Sequence, residues 1–231
     1  MVVKRLLLLS NSTNAGEAYL GYPRTAIRAF LGLDIQTVLF IPFAAVRFSY
    51  DAYAEIVREA FGDMGYRVQS IHTCADPVAA VRQAEAIAVG GGNTFHLLAH
   101  MYQTDILNII RERVLSGMPY IGWSAGSNVA CPTIKTTNDM PIIEPPSLQA
   151  LDLVPFQINP HYIDTHPPGY KGETRDERIE EFIAVNPQDT VIGLREGTML
   201  QIDDNHVRLV GEKSVRIFRK DEEAVDTRDI H

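Results

Sequence analysis

Short apolar runs alternate along this chain with longer segments whose apolar residues recur at helical spacing. The runs at 5–10, 37–42, 66–71, 86–89 and 119–123 are too short for stable helices and predict buried strands. Between them, 23–31, 50–64, 76–84 and 94–116 predict helices. In the second of these, Ala54, Val57, Ala60 and Phe61 share one face, and Glu55, Arg58 and Glu59 lie outside it. This alternation predicts an α/β fold with a mostly parallel sheet covered by helices on both faces. Such sheets bind their ligands at the carboxyl ends of the strands.

The rhythm changes after Cys131. Pro132, Pro141, Pro145, Pro146, Pro155, Pro160, Pro167 and Pro168 crowd a segment too rich in proline for regular helix. It predicts a long loop-rich insertion, interrupted by a strand near 156–158. Loops this long inside a compact domain are functional or disordered, and the apolar content here favours function. A helix follows, starting near Glu173 or Thr174, with Ile179, Phe182 and Ile183 facing inward. The runs 190–194, 198–202, 207–210 and 215–218 then predict strands joined by tight turns, forming an antiparallel C-terminal edge on the same sheet. With no internal repeat or low-complexity segment, one domain is expected over residues 1–231.

Charge narrows the partners. The chain of 231 residues carries 21 basic and 29 acidic side chains, a net charge of −8. A nucleic-acid binder would need a basic face, so none is expected; a local basic pocket for an acidic substrate stays open. No apolar run approaches the ~20 residues that span a bilayer, and Leu6-Leu7-Leu8-Leu9 leads straight into Ser10-Asn11-Ser12-Thr13. Neither a membrane segment nor a secretory signal is expected. Cys74 and Cys131 stand apart without metal-type spacing and read as reduced core residues of a cytoplasmic protein.

The sharpest local feature is Gly122-Trp123-Ser124-Ala125-Gly126. An apolar strand enters it and a helix start leaves it, the context of an elbow that lifts a nucleophile above a sheet edge. Small flanking residues let the backbone turn sharply, while the following amides face the reacting carbonyl. The bland alternative is a Gly/Ser turn without chemistry. A serine hydroxyl needs a base, usually histidine. His72, His96, His100, His206 and His231 read as surface or packing residues. His161, in Ile158-Asn159-Pro160-His161-Tyr162, lies in the loops that follow the elbow, and His166 competes with it. The triplet Gly90-Gly91-Gly92 ends one strand and opens a helix, without the Lys-Ser/Thr of a phosphate loop. It reads either as a close packing turn or as an oxyanion site, in which N–H groups of Gly91 or Gly92 join that of Ala125.

Gly90-Gly91-Gly92-Asn93-Thr94-Phe95, Ile121-Gly122-Trp123-Ser124-Ala125-Gly126, Thr136-Thr137-Asn138-Asp139-Met140-Pro141 and Gln157-Ile158-Asn159-Pro160-His161 together resemble the peptidase E family. That family consists of cytoplasmic serine peptidases that cleave dipeptides with an N-terminal aspartate. The likeness runs from Leu6 through Gly172-Glu173-Thr174-Arg175 to Val191-Ile192-Gly193-Leu194. It implies a flavodoxin-like fold related to the class I glutamine amidotransferases, in which the elbow nucleophile is cysteine. The resemblance makes Ser124 the nucleophile and His161 the base, and places the charge relay on Asp139. Glu196, in the turn Arg195-Glu196-Gly197, is the rival, and whichever carboxylate is not the relay is a partner for the substrate's amine. Amides near Gly92 and Ala125 would then stabilise the oxyanion, unless the triplet is only a packing turn. An aspartate side chain calls for a guanidinium: Arg175, with Lys135 as the alternative cation. No cofactor is expected, since H-E-x-x-H and clustered cysteines are absent from the sequence. The expected partner is a small Asp-X peptide, and a homo-oligomer is compatible with the sequence. Two rivals remain, a cyanophycinase-like β-aspartyl peptidase and a catalytically silent binding module on the same fold.

Overall fold

The computed structural model describes residues 3–164, 169 and 171–230. Five strands run parallel: β1 (Arg5–Leu9), β2 (Thr37–Ile41), β3 (Arg67–Ser70), β4 (Ala86–Val89) and β5 (Tyr120–Trp123), in the order β3-β2-β4-β5-β1. The unbroken leucines of β1 follow from this position. Leu6 and Leu8 enter one core and Leu7 and Leu9 the other, because successive side chains of a strand point to opposite faces. One face is covered by α1 (Arg24–Leu31) and α2 (Tyr50–Gly62), through Ile27, Phe30, Tyr53, Ala54 and Val57. The other takes α3 (Pro77–Gln83), α4 (Thr94–Gln103) and α5 (Leu107–Leu115), through Val81, Leu97, Met101, Ile110 and Val114. Ser49, Asp76 and Asn93 start α2, α3 and α4 by accepting the N–H groups of Ala52, Ala79 and His96.

Three expectations change. The helix over 94–116 is two helices: Asp105 adopts φ 55°, and the Thr104 hydroxyl donates to the His100 carbonyl at 2.6 Å, closing α4 before α5 starts. The strand at 66–71 stops at Ser70 and passes into a 3₁₀ turn, Ile71–Thr73. The C-terminal strands divide between two sheets. β8 (Met199–Asp203) pairs antiparallel with β1 and β9 (His206–Val210) with β8, which is the expected edge. β6 (Gln157–Tyr162), β7 (Val191–Arg195), β10 (Val215–Phe218) and β11 (Val225–Thr227) instead form a second sheet, ordered β11-β10-β7-β6. Burial explains the split. Ile192, Leu194, Val215 and Ile217 pack into the core that holds Leu200 and Ile202. Val191 and Phe218 face α7 (Arg175–Val185) through Ile179 and Ile183. Both faces of β7 are thereby covered.

The strand expected at 156–158 continues through Pro160 to Tyr162; proline is tolerated because β6 is an edge strand. Among the described residues no helix is long and apolar enough to cross a membrane. Both cysteines are free. Cys131 is buried, which pushes its thiol well above its ordinary range.

Candidate active site

The C-terminal ends of β1, β4 and β5 meet where α6 (Ala125–Asn128) begins. Ser124 is the pivot between β5 and α6, with φ 54° and ψ −113°, a conformation that costs a non-glycine residue energy and concentrates at functional sites. The residues two places before and after it are glycine for steric reasons. A Cβ on Gly126 would sit 2.1 Å from the Val89 carbonyl oxygen, and one on Gly122 would sit 2.3 Å from that of Gly126. Ser127 ties the turn down by donating to the Leu9 and Gly122 carbonyls at 2.6 and 2.9 Å. Gly126→Ala is therefore expected to cost at least about 3 kcal/mol, since rigid backbone must move to make room. Chemical denaturation checks this; a loss below ~1 kcal/mol contradicts the packing described.

His161 reaches Ser124 through a bulge. Pro160 pairs with Leu194 and Tyr162 with Arg195, so His161 is the extra residue, at φ 52°. An extra residue re-aims its side chain relative to the strand. The His161 N–H donates to Ser10 Oγ at 2.9 Å, and the Ser10 hydroxyl donates onward to the Leu194 carbonyl at 2.7 Å. In the resulting orientation His161 Nε2 lies 2.9 Å from Ser124 Oγ and Nδ1 lies 2.6 Å from Glu196 Oε1. Glu196 projects from the turn between β7 and β8, whose Gly197 N–H donates to Asn11 Oδ1 at 2.9 Å. The side chains of His161 and Glu196 are 41% and 50% exposed, so a substrate has access to them. Ser10 and Asn11 escaped the sequence reasoning. Their signal was a polar pair closing a run of four leucines, and both are buried.

Asp139, expected as the relay, is engaged elsewhere. Its Oδ2 accepts the Thr94 N–H at 2.7 Å and the Thr94 hydroxyl at 2.6 Å. The proline-rich loop folds back onto the start of α4, where free N–H groups and the helix dipole favour a carboxylate. Asn93 reinforces the contact by donating to the Met140 carbonyl at 2.8 Å. The carboxylate on the imidazole is that of the rival, Glu196, while Asp139 holds the start of α4.

Gly91, Gly92, Ser124 and His161 share a cleft of about 350 Å³ walled by Tyr19, Phe48, Tyr53, Ile56 and Trp123. Among the described residues the N–H groups of Gly92 and Ala125 have no backbone acceptor. Gly92 has φ 139°, and a Cβ there would meet the Ala44 carbonyl oxygen at 2.2 Å, so only glycine permits this close approach. No cation lines this cleft among the described residues. Arg175 opens α7 behind a capping box formed by Thr174 and Glu177. It is half-buried and donates to Asn138 Oδ1. Asn138 in turn donates to the Pro160 carbonyl at 2.7 Å, next to His161. Lys135 is exposed. His166 lies outside the described residues. No group of three or more His, Cys, Asp or Glu side chains suited to a metal ion occurs among the described residues.

A model of peptidase family S51 matches residues 6–210. The chain belongs to peptidase family S51. It is 56% identical to peptidase E of Nostoc sp. (strain PCC 7120) over 220 residues, spanning 95% of this chain and 91% of that one. It is 48% identical to peptidase E of Salmonella typhimurium (strain LT2), spanning 95% and 96%. Among solved structures, a candidate peptidase E from Listeria monocytogenes EGD-e superimposes with a TM-score of 0.69 at 25% identity, covering 91% of this chain and all of that one. The fold is thus the flavodoxin-like α/β arrangement of S51 structures. Membership of S51 makes the chain a peptidase. It supports a serine-type aspartyl dipeptidase over the cyanophycinase-like and silent-module readings.

Proposed function

We propose that this S51 peptidase acts in the cytoplasm, as one domain, on dipeptides with an N-terminal aspartate, through an acyl-enzyme on Ser124. The observation that carries the reading is the hydrogen-bonded chain Ser124–His161–Glu196. Ser124 Oγ attacks the peptide carbonyl while its proton passes to His161 Nε2. Glu196 holds the tautomer with the proton on Nδ1 and stabilises the imidazolium. The N–H groups of Gly92 and Ala125 receive the oxyanion. The imidazolium protonates the departing amine, and water, activated by the same base, releases aspartate. The two free thiols fit a reducing compartment.

Arg175 reads the β-carboxylate in this proposal. Its link through Asn138 to the carbonyl preceding His161 couples it to the base. The β-carboxylate binds a guanidinium through charge-assisted bonds that an amide cannot match, so Asn-X is expected to fall below Asp-X by about 10²–10⁴ in kcat/KM. Arg175→Met is expected to lower Asp-X cleavage sharply and narrow that gap, while Arg175→Lys does not rescue it, because an ammonium lacks the bidentate fork. A panel of α-Asp-X, β-Asp-X, Asn-X, Glu-X and blocked Asp-X substrates tests the function itself. Preference for β-Asp-X, or for blocked Asp-X, would overturn it. An Arg175→Met enzyme with the native Asp-X to Asn-X ratio would move the role to another cation, Lys135 first.

A further inference from the structure

The floor of the cleft contains a polar chain that the mechanism above does not use. Tyr53, on α2 and only 4% exposed, stands at the centre of three hydrogen bonds. Its hydroxyl lies 3.1 Å from the Gly91 carbonyl oxygen, 3.0 Å from Trp123 Nε1 and 3.1 Å from the Tyr19 hydroxyl. Every proton in this cluster is assignable. A carbonyl only accepts, so Tyr53 spends its single O–H on Gly91. An indole N–H only donates, so Trp123 gives its proton to the Tyr53 oxygen. Tyr19 then also donates to that oxygen. Burial raises the Tyr53 phenol above its ordinary range, which keeps the donor proton in place at working pH.

The bond to Gly91 fixes more than one atom. A trans peptide is planar, with its C=O and N–H pointing in opposite directions. Anchoring the Gly91 carbonyl on Tyr53 therefore turns the N–H of Gly92 the other way, toward the cleft it shares with Ser124. Glycines hold this peptide with no side chain of their own to lock it. A Cβ on Gly91 would sit 3.0 Å from Ser124 Cβ, and one on Gly90 would sit 2.7 Å from the Tyr53 hydroxyl. The lock must come from outside the loop. We propose that Tyr53 is a positioning residue: its hydroxyl, oriented by Trp123 and Tyr19, sets the Gly91–Gly92 peptide plane so that the Gly92 N–H is preorganised as an oxyanion donor. The same relay joins the two halves of the site, since Trp123 immediately precedes Ser124 in the chain.

The inference rests on acyl transfer at Ser124, and its test keeps the two apart. Tyr53→Phe removes the hydroxyl and keeps the ring. Losing an oxyanion donor costs about 10²–10³ in kcat, and loosening one is expected to cost ~10–10². In the Tyr53→Phe enzyme kcat for an α-Asp-Leu dipeptide should fall by that factor, with KM within about threefold of the native value. Binding of an aspartate-derived aldehyde, whose adduct with Ser124 carries the oxyanion, should weaken in parallel, whereas inhibition by free aspartate should not change. Tyr19→Phe, which removes one donor to the Tyr53 oxygen and leaves the Tyr53–Gly91 bond in place, should lower kcat by less than Tyr53→Phe does. Unchanged kcat in Tyr53→Phe would overturn the proposal, as would aldehyde and aspartate weakening together. If phenylalanine at this position prevents folding, para-aminophenylalanine and para-fluorophenylalanine make the same comparison, because both fill the hydroxyl's space and only the amine donates. Higher activity with the amine supports the role and equal activity overturns it. A native enzyme inert toward both dipeptide and aldehyde would instead overturn acyl transfer, and this inference with it.

Discussion

Ser124→Ala is expected to fold as the native chain does and to cleave Asp-X dipeptides about 10⁶-fold more slowly, the scale on which serine peptidases lose rate with their nucleophile. The fold should survive because the elbow is held by groups other than the Ser124 hydroxyl. Gly126 allows the close approach of α6 to β4 and Gly122 that of α6 to β5, and Ser127 binds the Leu9 and Gly122 carbonyls. The strained backbone at Ser124 belongs to the turn, so alanine inherits it. Near-native circular dichroism and melting temperature, measured beside single-turnover cleavage, check both halves of this expectation. A folded variant retaining a tenth of native activity would remove Ser124 from the chemistry.

The next largest effect is expected at Glu196. In Glu196→Gln the imidazole keeps a neighbour of the same shape, but the amide offers N–H groups as well as an oxygen. The tautomer with its proton on Nδ1 is no longer enforced, and the imidazolium loses its counter-charge. By analogy with the same change in a Ser-His-Asp triad, kcat should fall by about 10⁴ at neutral pH. Half-exposure of Glu196 lets water substitute in part, so a fall of ~10³ remains consistent. Asp139→Asn should behave differently. The side chain keeps its oxygen for Thr94 and loses charge at the start of α4, which is expected to cost about 1 kcal/mol of stability and less than tenfold in kcat. Steady-state kinetics and denaturation of the two variants decide between them. Collapse of kcat in Asp139→Asn with Glu196→Gln near native would return the relay to Asp139.

The contrast between these two carboxylates shows where sequence reasoning reached its end. Ser124 was legible because its meaning is local: an apolar strand, a glycine-flanked turn and a helix start are contiguous in the chain. His161 was legible through its motif and not through its element, since Pro160 argues against a strand and the bulge that aims the imidazole has no short-range signature. Choosing between Asp139 and Glu196 depends on where the loop after Cys131 docks. That docking is fixed by contacts between residues far apart in sequence, such as Asp139 with Thr94 and Asn138 with Pro160. The parallel sheet was legible from its strand–helix rhythm, whereas the second sheet was not. The runs forming β7 and β8 look alike, and only packing sends one against α7 and the other beside β1. The break between α4 and α5 was hidden for a further reason, because Thr104 and Asp105 end a helix without glycine or proline. Tyr53 gave no signal at all, being one more apolar-face residue of an amphipathic helix until its hydroxyl is seen beneath Gly91.

In the proposed mechanism Ser124, driven by His161 and Glu196, becomes covalently acylated. The most direct measurement is mass spectrometry of the intact chain after reaction with a serine-directed aryl phosphonate, followed by peptide mapping. A single adduct is expected on Ser124, formed fast in the native chain and at least about 10²-fold more slowly in Glu196→Gln, because the phosphonate consumes the same activated hydroxyl. A native chain that cleaves Asp-X dipeptides while its adduct forms elsewhere, or does not form at all, would contradict it.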